Sequence, residues 1–274
     1  MEAFDTPGDV TLEVRIPTGR LVIGTSDEPH TTVELVPIGR RGQETLEQIQ
    51  VSHHERGGRH VVTIEQRNRI QWGPIQISWG GDVEVRVTCP AGTELDISGA
   101  STDIRAEGRY GPVSARTASG DMRLGEVRGK LEVKTASGDV ALELVEAPKA
   151  AVATVSGDVE IGHVEADLAL RTVSGDVALG TILGPVTLST TSGDVKLDSL
   201  QAGELRIQSV SGDSRIGIGP GTRIWVDASS ISGDMNSELS VGDAAPEGAG
   251  EESGEVVPVR VKTVSGDVSI VRAA

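Results

Sequence analysis

One short phrase, Thr-x-Ser-Gly-Asp-Val, recurs down most of this chain and limits its possible folds more than any other feature. Full copies open at Thr135, Thr154, Thr172, Thr190 and Thr263; the copy at Thr117 ends in Met122, and variants open at Ser209 and Ser230. The aspartates of these copies are Asp121, Asp139, Asp158, Asp176, Asp194, Asp213, Asp234 and Asp267, whose numbers rise in turn by 18, 19, 18, 18, 19, 21 and 33. A degenerate earlier copy contains Asp103, one such step before Asp121. A near-constant step of this size marks a stack of similar units, each burying its apolar face against its neighbours.

Within each unit the apolar residues alternate with polar ones in two short runs. Lys130 to Val145 offers Leu131, Val133, Val140, Leu142 and Val145; later units offer Leu168, Leu170, Val177, Leu179 and Ile182, then Val186, Leu188, Val195, Leu197 and Leu200. Alternation is the strand period, and recurrence at one place in each unit puts like residues above one another. The expected fold is all-β: a parallel β-solenoid with about 18 residues per coil, adjacent coils hydrogen-bonded ~4.8 Å apart. Aromatics make up only 2% of the chain, so the core must be built from Val, Ile, Leu and Ala.

Residues 1–92 fit the repeat poorly and are expected to form an irregular N-terminal β cap with the first coils. Strands are expected at Val10–Ile16, Leu21–Ile23, Thr31–Val36, Ile49–Val51, Val61–Ile64, Ile75–Ile77 and Val83–Val87, with a short helix or loop over residues 39–48. Residues 93–274 form the regular solenoid. Its last step is lengthened by an acidic, Gly- and Ala-rich insertion over 242–257, expected as a solvated loop. Thr263 to Ile270 then reads as the last coil, an exposed β edge inviting end-to-end self-association unless the insertion covers it.

The net charge of −16 and pI near 4.7 repel phosphate backbones and exclude a general nucleic-acid binder. Cys89 is the only cysteine, so no internal disulfide forms; next to Pro90 it reads as a small buried hydrophobe. There is no secretory signal and no run of ~18 apolar residues. The chain as written is therefore expected to be cytoplasmic and not membrane-inserted; trimmed of a leader, it would be a surface or periplasmic protein.

The Ser-Gly-Asp triplet permits two readings. Gly adopts backbone conformations closed to other residues, and Asp and Ser accept backbone N–H groups in turns. Alternatively, the column of Asp121, Asp139, Asp158, Asp176, Asp194 and Asp213 gathers the oxygens that calcium prefers. No other cofactor is implied. The residue between Thr and Ser is mostly Ala or Val; read as inward-facing, it would put Thr and Ser outward in rows able to order water, although alternation from Leu131 and Val133 carries Thr135 inward. No catalytic constellation interrupts the repeat. His53, His54 and His60 lack partners at metal-ligand spacing and read as exposed strand or loop residues.

The repeated Thr-x-Ser-Gly-Asp-Val, with Pro17-Thr18-Gly19 and Cys89-Pro90-Ala91-Gly92 ahead of it, resembles the bacterial putative-adhesin β-solenoid family of unknown function. The resemblance implies a single-stranded, right-handed parallel β-helix, a role in cell-envelope or stress-response systems, and no catalytic residues. The expected function is a non-catalytic scaffold that binds a protein partner. A carbohydrate-binding or carbohydrate-active β-helix is the alternative, with Trp225 and its acidic neighbours as the place for a sugar site.

Overall fold

The computed structural model describes residues 1–67, 83–239 and 256–273. The strand expected at Ile75–Ile77, Trp72, Trp79 and residues 242–255 of the insertion lie outside them. Residues 256 and 257, expected within that insertion, instead begin the strand Val256–Ser265. The described chain is all-β apart from one helix, Gly39–Leu46. No helix among the described residues is long and apolar enough to cross a membrane. The chain forms two compact units, Met1–Ala141 and Leu142–Ala274.

In the first unit, parallel strands stack in two ladders. One runs Arg59–Gln66, Val10–Arg15, Glu94–Ser98, Val113–Arg116, Leu131–Lys134. The other runs Val83–Pro90, Thr18–Ser26, Ser101–Tyr110, Met122–Arg128. Alternate residues point inward, so Leu12, Leu95, Val113 and Leu131 stack in one buried column, and Leu21, Ile104 and Met122 in the opposing one.

The order of rungs is not the order of the sequence. Val10–Ser26, expected within the irregular cap and first coils, forms a regular coil seated between the strands Arg59–Gln66 and Val83–Pro90 on one side and Glu94–Ser98 and Ser101–Tyr110 on the other. The first apolar alternation is inserted one rung in from the edge, where both of its sides are paired. The capping role falls to antiparallel strands outside it: Ile49–Arg56 on Arg59–Gln66, His30–Pro37 on Val83–Pro90, and Glu2–Asp5 on His30–Pro37.

The second unit follows the same plan. Leu168, Val186, Leu205 and Val259 pair in one buried column. Val159, Val177, Val195, Ser214 and Val268 pair in the other. Successive partners such as Val159, Val177 and Val195 stand one sequence repeat apart. The chain's last strands again go one rung inward. Val256–Ser265 lies between Leu205–Gln208 and Arg223–Ser232, and Val268–Arg272 between Ser214–Ile218 and Met235–Ser237. The expectation that Thr263 to Ile270 forms the exposed edge is therefore corrected: the outermost rung is Arg223–Ser237, and the long step from Asp234 to Asp267 is the excursion back inward.

Ser214 breaks an otherwise apolar column. It is 2% exposed, its hydroxyl has no partner, and Val195 and Val268 flank it in register. A buried hydroxyl without a hydrogen bond costs about 1–3 kcal/mol. Ser214→Val is accordingly expected to stabilise the protein by about 1 kcal/mol or more, read as a higher urea midpoint at unchanged m-value. An equal or lower midpoint contradicts this packing.

Candidate functional site

The repeated turn is the surface feature that the sequence singles out, and its geometry assigns each residue a place. Thr117, Thr135, Thr154, Thr172, Thr190 and Thr263 are 5–7% exposed and face inward. Where the hydroxyl is bonded it donates to the carbonyl two residues on, as Thr190 does to Ser192 at 3.2 Å and Thr117 to Ser119 at 3.0 Å. The inward reading of the following residue is thereby overturned. Alternation from the preceding strand carries Thr inside and turns Val155, Val173, Thr191, Val210 and Val264 out. The hydroxyl rows that water ordering would need are buried on the Thr side.

Glycine takes the corner. Gly175 has φ +140°, and a Cβ there would collide with the carbonyl oxygen of Gly157 one rung below. Only a residue without a side chain lets adjacent corners approach this closely. The aspartate then closes the turn vertically. In the first unit the Asp121 N–H donates to Asp103 Oδ1 at 3.3 Å and the Asp139 N–H to Asp121 Oδ1 at 3.1 Å. In the second unit Asp176 donates to Asp158, Asp194 to Asp176, Asp213 to Asp194, Asp267 to Asp213 and Asp234 to Asp267, all at 2.8 Å. The accepting carboxylates, Asp103, Asp121, Asp158, Asp176, Asp194, Asp213 and Asp267, each receive a backbone N–H, which stabilises their charge against the next one in the column. Among the described residues no group of three or more His, Cys, Asp or Glu is placed to hold a metal ion.

In the second unit the turn leaves exposed columns at the variable position and at Asp, with the exposed Ser column between them in sequence. Val155, Val173, Val210 and Val264 are 44–50% exposed and Ile231 82%, with Thr191 in the same column. The Asp column holds Asp158, Asp176, Asp194, Asp213, Asp267 and Asp234, all exposed. An apolar ridge about six rungs long, at ~4.8 Å per rung, therefore lies along a negative rail. Sequence reasoning missed it, because the phase of the Thr strand decides which residues face out.

The first unit carries a charged groove instead, a depression of about 540 Å³ lined by Arg20, Glu84, Asp103, Arg105, Asp121 and Arg123. Two of its arginines are engaged: Arg20 with Glu84 at 3.5 Å and Arg105 with Glu107 at 2.6 Å. Nearby, Lys134 and Arg116, each 2.8 Å from Glu132, hold that carboxyl down at about 2. These are surface ion pairs of small net value.

The remaining candidates resolve into structure. His53 and His60 share a hydrogen bond of 3.1 Å across the outer hairpin, and the Phe4 ring lies 5.4 Å from His53. Trp225, the place named for a sugar site, has the Arg260 guanidinium 5.5 Å from its ring centre, and Arg260 is itself paired closely with Glu204. Tyr110 is buried, its hydroxyl 2.8 Å from the Glu107 carbonyl and 3.0 Å from that of Ile23. Cys89 is fully buried, and burial pushes its thiol up to about 11.

Two measurements follow. Asp194→Ala removes the acceptor for the Asp213 N–H and is expected to cost about 1 kcal/mol in urea unfolding; Asp194→Asn keeps an acceptor oxygen and should cost less than half as much. Equal losses would mean that the charge, not the acceptor, matters. Cys89 should ignore a thiol reagent in mildly alkaline buffer while folded and react fully once guanidinium unfolds the chain; fast native reaction would contradict its burial.

The profile of a family described as Toastrack DUF4097 matches residues 11–271. No curated protein matches the chain. Among solved structures, a putative adhesin from Parabacteroides distasonis ATCC 8503 is 11% identical with TM-score 0.48, covering 98% of this chain and 95% of that one. A putative lipid binding protein from the same organism is 13% identical with TM-score 0.46, covering 100% and 96%. A putative adhesin from Bacteroides fragilis NCTC 9343 is 15% identical with TM-score 0.44, covering 98% and 95%. At these TM-scores the likeness fixes no detail of this chain.

Proposed function

The chain belongs to the Toastrack DUF4097 family, and on that footing we propose that it is a non-catalytic, adhesin-like scaffold presenting a repeated outward surface to a protein partner. The observation that carries this reading is the ridge of half-exposed valines beside the aspartate column in the second unit. Branched apolar side chains held at fixed spacing on a stiff β ladder offer contact area at little entropic cost. The carboxylates next to them select a partner that carries cationic residues beside an apolar strip. In this reading the coils form a right-handed single-stranded parallel β-helix of about 18 residues each. The reading is non-catalytic because the residues that recur, Thr, Gly and Asp, are spent on the turn itself.

The carbohydrate alternative finds little support at Trp225, whose ring carries a guanidinium rather than an open face. A link to the cell envelope or to stress response belongs to the same proposal and rests on the family resemblance alone. In cross-linking capture from the native cell, wild type should retain a protein that Val173→Lys with Val210→Lys loses, while both keep the same melting temperature. A partner held equally by both proteins, or only sugars bound, would refute the ridge as the contact surface.

A further inference from the structure

Among the described residues of the second unit, the outermost rung has a neighbour on one side only. Arg223–Ser232 pairs along one side with Val256–Ser265, and Met235–Ser237 with Val268–Arg272. No other described strand pairs with either of them. Exposure records the missing neighbour. The outward apolar column is 44–50% exposed at Val155, Val173, Val210 and Val264, yet 82% at Ile231, its last member. The core column changes in the same way: Val268 is 2% exposed, while Met235, paired on it, is 47% exposed. Ile224, Val226 and Ala228 are only half-buried, whereas Val257, Val259 and Val261 beneath them are buried.

Half of the backbone groups of a ten-residue strand therefore face away from the ladder, above an incompletely covered apolar layer. Arg223 and Asp227 are the only charges in that strand, which contains no Lys and no Pro. The outer rung of the first unit is finished differently. Ile49–Arg56 closes over it as a hairpin rich in His and charge, and Glu2–Asp5 is a short edge. Those are devices that blunt an edge; Met235–Ser237 is short, but the ten-residue strand Arg223–Ser232 has none of them.

We infer that Arg223–Ser237 is a self-association edge, and that a second copy of this chain occupies it through the same residues about a two-fold axis. The rungs below show what this layer accepts, since Val226 already lies in register on Val259, and Val259 on Leu205. The same segment of another copy supplies a layer of equal width and apolar content. Antiparallel pairing centred on Ala228 sets Trp225 opposite Ile231 and Asp227 opposite Ser229, so no like charges face one another. Such a join uses up the edge and stops at two copies. With a net charge of −16 on each copy, repulsion opposes the dimer and salt relieves it. This edge shares only Ile231 with the ridge, whose valines lie on other rungs and face outward rather than along the stack.

Sedimentation and light scattering across a wide concentration range, at low and high salt, test it on the full chain. The expected result is a reversible dimer of twice 28.5 kDa that tightens as salt is added. Ile231→Lys with Met235→Lys is expected to abolish the dimer at unchanged circular dichroism. Ser229→Asp, which in that register sets a carboxylate opposite the partner's Asp227, provides an independent second variant that is also expected to abolish the dimer. A monomer at every concentration and salt, growth beyond two copies, or a dimer that survives both variants would overturn the inference.

Discussion

In-register backbone pairing between rungs is the interaction on which everything else in this protein depends. A single turn of chain buries almost no apolar surface and pairs none of its own N–H groups with its own carbonyls. Stacked on a neighbour, the same turn gains a ladder of hydrogen bonds and a strip of core together. Leu168, Val186, Leu205 and Val259 are each close to fully buried because each has a like residue above or below it. Aromatic bulk is scarce in so thin a core, and among the described residues Tyr110 is the one aromatic with a fully buried side chain.

An architecture stabilised by neighbours is weakest wherever a rung has only one. In each unit the chain answers by order of placement. Val10–Ser26 and Val256–Arg272, the first and last regular strands in sequence, are both slotted between other rungs. The outermost parallel strands are segments with chain on both sides, Arg59–Gln66 and Val83–Pro90 in the first unit and Arg223–Ser232 with Met235–Ser237 in the second. Fraying there would need an internal loop to open, which costs more than the release of a terminus.

Periodicity in the sequence reveals which residues occupy equivalent places in a rung. Hence the paired columns and most strands were legible, down to the register of Val177 on Val195. It does not reveal which rung lies on which, because stacking order depends on connections that carry no repeat. The two long steps on either side of Asp234 were the visible trace of the reordering, but an excursion and an insertion lengthen a step alike. The phase at Thr135 was ambiguous for a related reason: two strand residues and one corner residue leave the alternation one position short of decisive. Burial resolves it, since Thr135 is 7% exposed. The Cys89 reading needed only its apolar setting and holds at full burial.

Three of the four recurring positions of the turn and its one variable position divide the labour between folding and surface. Thr faces the core, Gly lets successive corners approach, and Asp accepts the N–H of the rung next to it; any of these can change only at a cost to the ladder. The residue between Thr and Ser touches none of this, and there the chain places Ala118 and Ala136 in the first unit but Val155, Val173, Val210, Val264 and Ile231 in the second. β-Propensity favours branched residues in the pleat, yet the fold is equally served by alanine, as Ala118 and Ala136 demonstrate. Apolar area kept half-exposed over several consecutive rungs is surface that the ladder does not require, and a chain of −16 charge gains nothing from it in solution. That surplus apolar area is what the proposed scaffold reading assigns to a partner.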